Sequence, residues 1–235
     1  GSGEAVVARL ERFKLRTNCD FTQLDWRVVA LRGEDVPTTD ELVDVCGGAS
    51  ERPAGSDDAS SERGTIAVIA NWPVGGGVDV LGPAGAVAIP RDADEGTAGE
   101  YDALRIAAGV PMTGVDLVVG GIPNEAGRWV IDHSVSFNKG CYTGQELVAR
   151  IDSRGGNVPR PLRHVTFDPA TEPAPKPGAD VLDPDGKSVG HLTSVAPAAG
   201  IALAAVGRAV DPPAAVTVAW DGHTSAATVQ VLPGV

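Results

Sequence analysis

The densest chemistry in the sequence lies in one octapeptide, Lys139-Gly140-Cys141-Tyr142-Thr143-Gly144-Gln145-Glu146. Thr143, with Glu146 three residues on, forms a capping box that predicts a helix start. Cys141 stands two residues before that cap and two after Lys139. The positive end of a helix dipole and a nearby ammonium both favour thiolate over thiol. Gly140 and Gly144 let a ligand approach the backbone or let the chain take positive φ. A thiol in this setting suits a nucleophile, a redox handle or a metal ligand. It equally suits a small buried cysteine beside a helix cap, because free cysteine is among the most buried residue types; local sequence does not separate the two.

Glu125, in Ile122-Pro123-Asn124-Glu125-Ala126-Gly127, is the second candidate. A carboxylate held in such a Pro/Gly-bounded segment can accept two parallel hydrogen bonds from a planar donor edge, as a pterin or guanine presents. The competing reading is an exposed turn acid. Cys46 extends the apolar face of a helix and Cys19 sits in a turn. The four histidines have no ligand spacing, so no metal site is expected. Gly75-Gly76-Gly77 lacks the Lys-Ser/Thr of a phosphate-binding loop and reads as a turn.

The elements that must position these residues follow from periodicity. Val6, Leu10 and Phe13 fall at helical spacing before a near-alternating run from Phe21 to Leu31, a helix feeding a strand. Thr38 and Glu41 predict a second helix ending at Gly47, and residues 48–63 read as a mobile surface loop. Thr65 to Ala70, Val78 to Leu81 and Ala86 to Ile89 are strand-like. Thr97 and Glu100 box a helix through Ala108 on which Tyr101, Leu104 and Ala108 share a face. Trp129 to Ile131 is strand-like, and the Thr143 helix carries Leu147, Val148 and Ile151. A proline-rich linker at 169–177 is followed by five or six short strands at 178–235, with turns at Asp183-Pro184-Asp185-Gly186 and Asp221-Gly222. The expected layout is an α+β domain over 1–168 followed by a small all-β barrel or sandwich.

Composition sets outer bounds. The 235 residues carry 19 basic and 31 acidic side chains, a net charge of -12 that argues against non-specific binding to nucleic acid or anionic lipid. No apolar run approaches a membrane span. Three cysteines, without CxxC spacing, cannot build a disulfide framework or a four-thiolate zinc site, and a reducing cytoplasm is the expected compartment.

The run Lys139 to Glu146, continuing to Arg150, resembles the signature of the YgfZ family of folate-binding proteins linked to iron–sulfur cluster assembly. Segments 103–111 and 122–127 resemble those that this family shares with the T-protein, the aminomethyltransferase of the glycine cleavage system. Trp72-Pro73, the stretch 77–83 and the C-terminal run through Val189-Gly190, Thr193-Ser194 and 201–203 also fit. The sequence departs from the family pattern at Ala107, where an acid is usual, and at Pro161 after Arg160.

The resemblance implies a T-protein-like folate-binding body with ferredoxin-like parts and a C-terminal β-barrel. It implies tetrahydrofolate as cofactor, with Glu125 as the pterin-binding carboxylate and Tyr142, Gln145 and Arg150 at the pocket. Cys141 becomes the functional thiol, assisted by Lys139. Iron–sulfur client or assembly proteins are the implied partners, as is a separate N-terminal fragment, because family members begin well upstream. A one-carbon (aminomethyl) transferase and a folate-responsive scaffold stand as alternatives.

Overall fold

The computed structural model describes residues 3–33, 36, 65–90, 93–118, 120–142 and 144–234. The expected Thr38–Glu41 capping box, Cys46 and the 48–63 loop lie outside the described residues, as does Thr143. The chain divides into two compact units, Gly1–Asn71 with Gly76–Glu95, and Trp72–Gly75 with Gly96–Val235.

The first unit holds α1 (Gly3–Phe13) and a three-stranded antiparallel sheet of β1 (Trp26–Arg32), β2 (Ile66–Ala70) and β3 (Gly77–Pro83), in the order β1-β3-β2. Alternation puts Val29, Leu31, Val78 and Val80 on one face, where they cluster with Val87. The strand expected at Ala86 to Ile89 is instead a turn and an extended tail. Ala86 and Val87 both donate their N–H groups to Pro83 O, so those donors are consumed within the turn while Val87 is buried.

In the second unit, α2 (Ala98–Ala107) starts with the expected capping box: Thr97 Oγ1 accepts from Glu100 N–H, and the Glu100 carboxylate accepts from Thr97 N–H. Its buried face carries Arg105 and Ile106, whereas Tyr101 and Leu104 are exposed. A 3-10 turn (Pro123–Ala126) precedes α3 (Arg128–Ser134) and α4 (Gln145–Ser153). The strand-like reading of Trp129 to Ile131 is therefore corrected to helix. A short apolar run has no diagnostic period, and here the i,i+4 pair Arg128–Asp132 closes at 2.7 Å along the helix.

A closed six-stranded antiparallel barrel follows: β4 (Leu162–Phe167), β5 (Asp180–Leu182), β6 (Ser188–Ala196), β7 (Ile201–Val206), β8 (Ala214–Trp220) and β9 (His223–Gln230), ordered β4-β7-β6-β5-β8-β9. The expected turns are present. Asp183 Oδ1 accepts from the N–H groups of Asp185 and Lys187, and Asp221-Gly222 takes positive φ at both residues, as a two-residue hairpin requires. One boundary moves: β4 precedes the proline-rich segment, which therefore connects two barrel strands rather than preceding the barrel. Val165, Phe167, Val181, Leu192, Val218, Trp220 and Val229 fill the interior, with Ala202 and Ala204 giving the large rings room. Gly190 is obligatory, since a Cβ there would run into the Ala205 carbonyl.

Outward-facing Leu162, Ala196 and Leu203 pack on Ile106 of α2 together with Leu232. Beside this apolar seam lies a buried polar network. Arg105 Nη1 meets Asp116 at 2.9 Å, with the Asp116 side chain wholly buried. The remaining Arg105 nitrogens reach Asp102 at 2.6 Å and Ser194 Oγ at 3.0 Å. Asp116 also accepts from Met112 N–H, Thr193 Oγ1 and Ser194 Oγ. A β-bulge between Leu192 and Ser194 breaks the pleat, so that three consecutive residues are buried and two adjacent hydroxyls reach one carboxylate.

Two predictions follow from these groups. Asp116→Leu leaves the Arg105 guanidinium without the buried carboxylate opposite it and should lower stability by about 3 kcal/mol, read as a shifted urea midpoint. His164 on β4 has its pKa lowered from the ordinary 6.5 by burial, which outweighs the backbone of Ile106. The unfolded chain then binds the proton more readily. Stability is complete above pH 6.5 and falls as pH drops below it. His164→Gln should flatten that limb in urea titrations repeated across pH.

Candidate functional site

The octapeptide forms the approach to α4. Gly144 is the N-cap in a left-handed conformation, φ 86° and ψ -2°, and the helix begins at Gln145. Glycine takes this conformation without strain. The Gln145 side chain turns back, and its Oε1 accepts from Tyr142 N–H at 3.1 Å. Lys139 Nζ sits 4.9 Å from the Tyr142 ring centroid, a cation–π contact that ties the two ends of the loop.

A cleft of about 390 Å³ opens here, lined by Tyr142, Gly144, Gln145, Glu146, Leu147 and Arg150. Three of the residues singled out in the sequence, Tyr142, Gln145 and Arg150, thus share one cavity, and Lys139 joins them through the tyrosine ring. Helical geometry explains the grouping: Gln145, Glu146 and Arg150 lie within two turns of α4, and Val148 turns the opposite way and is buried. Cys141, next in sequence to the lining residue Tyr142, is exposed and does not itself line the cleft. That overturns its reading as a small packed core cysteine.

Glu125 is placed apart from this cleft. It sits in the 3-10 turn, which Pro123 opens as its first residue and which packs against α4. It is half-buried, and its Oε1 accepts from Arg160 N–H at 3.2 Å. One carboxylate oxygen is anchored by the backbone leading into β4 and the other is open to a donor. Among the described residues no cluster of histidine, cysteine and carboxylate side chains could hold a metal ion.

Sequence reasoning missed the Arg105–Asp116 network that fixes the chain just ahead of Glu125. Thr193-Ser194 and Arg105 stood out only as family-like text. The signal lay in an arginine on the buried face of an amphipathic helix.

Residues 160–233 match the CAF17 C-terminal beta-barrel domain family. The chain is 38% identical over 106 residues to the mitochondrial iron–sulfur cluster assembly factor IBA57 of Homo sapiens, covering 44% of this chain and 29% of that protein. It is 46% identical over 58 residues to the tRNA-modifying protein YgfZ of Yersinia enterocolitica, covering 25% of this chain and 17% of that one. The aminomethyltransferase T of the glycine cleavage system from Bartonella henselae matches with a TM-score of 0.68 at 18% identity, over 100% of this chain and 66% of that chain. The fold is thus that of the T-protein, ending in a CAF17-type barrel. Within that class the chain's sequence is most like YgfZ and IBA57 among the proteins named above. Its alignments span less than a third of these curated relatives.

The exposure of Cys141 has a direct chemical readout. Iodoacetamide should modify Cys141 in the native chain about as fast as in urea, whereas half-buried Cys19 should accelerate on unfolding. Peptide mass spectrometry resolves the two sites.

Proposed function

We propose that the chain is a tetrahydrofolate-binding accessory factor supporting assembly or repair of iron–sulfur proteins, with Cys141 as its functional thiol. The observation that carries this reading is an exposed cysteine next in sequence to a cleft built from its own motif, in a chain similar to IBA57 and YgfZ. When bound, tetrahydrofolate supplies a one-carbon carrier. Glu125 suits its pterin: the Arg160 N–H fixes one carboxylate oxygen, and the second oxygen accepts from a planar donor edge. Tyr142 offers an aromatic face, and Arg150 a guanidinium for the carboxylates of the ligand's tail. Gln145 holds Tyr142 in place through its backbone, and Lys139 does so through its ring. Cys141 faces solvent and is open to a client's reactive group. In this reading the partners are folate and iron–sulfur client or assembly proteins, and the compartment is the cytoplasm. No helix among the described residues is long and apolar enough to cross a membrane.

The T-protein fold supports one second reading, a one-carbon (aminomethyl) transferase.

Two variants test the proposal. Glu125→Gln should weaken tetrahydrofolate binding about tenfold to a hundredfold, the effect of losing a charge-assisted hydrogen bond, measured by calorimetry. Cys141→Ala should bind tetrahydrofolate normally yet fail to restore iron–sulfur enzyme activity in cells lacking the endogenous factor. Full restoration by Cys141→Ala overturns the thiol's role. Turnover of an aminomethyl donor with tetrahydrofolate would establish the transferase instead.

A further inference from the structure

Two arginines at the cleft end of α4 keep their charge uncommitted. Arg150 lines the cleft, and Arg154 is the C-cap of the same helix, one turn further on. Both are exposed, and among the described residues neither guanidinium makes an ion pair or a hydrogen bond. The acids nearest in sequence do not neutralise them. Asp152, two residues from each, faces away from both and is held by Arg128 at 2.6 Å. Glu146 lies one turn before Arg150 on the cleft wall, and the i,i+4 pair it could form is not made. Cations near a helix C-terminus complement the dipole, and that contact uses none of their N–H donors, which stay available to an outside anion.

The spacing selects the anion. One helical turn separates the two arginines by about 6 Å along the axis. In a γ-linked glutamate chain, five bonds separate successive α-carbons, where an ordinary peptide has three. If three bonds span about 3.8 Å, five span about 6 Å. Successive α-carboxylates of such a chain therefore fall in step with Arg150 and Arg154. Ahead of them on the cleft wall, Tyr142 offers a face to an aminobenzoyl ring, and Glu146 an acceptor to the amide N–H joining that ring to the first glutamate.

We propose that the site takes tetrahydrofolate in its oligo-γ-glutamyl form, with Arg150 holding the α-carboxylate of the first glutamate and Arg154 that of the second. This rests on the tetrahydrofolate reading above and names the form of the ligand. Each contact is a guanidinium–carboxylate pair, whose fork geometry a lysine does not reproduce.

The test titrates tetrahydrofolate monoglutamate and triglutamate calorimetrically into the full chain at matched ionic strength, and reads the ratio of the two Kd values. The triglutamate should bind about fivefold more tightly, the scale of one well-formed exposed ion pair. Without such a site the preference should run the other way, because the longer tail adds negative charge to a ligand meeting a chain of net charge -12. Added salt should shrink the advantage. Arg154→Gln should abolish it and Arg154→Glu should invert it. Arg16→Gln, at an exposed arginine of the first unit, should leave it unchanged. Equal or weaker binding of the triglutamate, or an unaltered ratio in Arg154→Glu, would overturn the proposal while tetrahydrofolate binding itself stands. Binding of neither form would overturn the tetrahydrofolate reading, and this proposal with it.

Discussion

The second unit is organised around one buried carboxylate. The Asp116 side chain has no exposed surface, and both its oxygens are occupied, one by Arg105 and the Met112 N–H, the other by the hydroxyls of Thr193 and Ser194. A buried ion pair is weak evidence for stability in itself, because desolvation offsets much of the attraction. Its value lies in specificity: the four donors come from α2, from the loop that carries Asp116 and from a barrel strand, and only one mutual placement satisfies all of them. The apolar seam of Ile106, Leu162 and Leu203 supplies adhesion without direction. The carboxylate supplies direction.

That placement reaches the candidate site through the chain itself. A few residues beyond Asp116 the backbone enters the 3-10 turn bearing Asn124 and Glu125, and Glu125 is tied again to the barrel approach through Arg160 N–H. The turn packs against α4, whose start carries the cysteine motif. That helix in turn lines the cleft, with Gln145 and Arg150 beside Tyr142.

Much of this was legible in the sequence where local rules act alone. The Thr97 box, the Asp221-Gly222 hairpin and the alternation of the barrel strands depend on neighbours a few residues apart, and each is present. The elements that failed depend on tertiary context. Trp129 to Ile131 is too short to show a period, and it became helical in company with Arg128 and Asp132. β4 was hidden because the prolines after it looked like a domain boundary, whereas a closed barrel can accommodate them in a connection between strands. The closeness of Tyr142, Gln145 and Arg150 follows from their nearness in the chain, and the placement of Glu125 away from them could not be read in the same way, since it is set by a contact 35 residues distant.

The bulge in β6 sets a condition on exchange between related proteins. A barrel with the same strand order and interior, but with a regularly pleated β6, would close and fill its own core equally well. It would present one hydroxyl to Asp116 where two are needed, and the neighbouring side chain would point the other way. Interchangeability of the barrel among relatives is thus decided by a single extra residue in one strand. Chimeras aligned without a gap at that residue would be well folded in both parts and mismatched at the join.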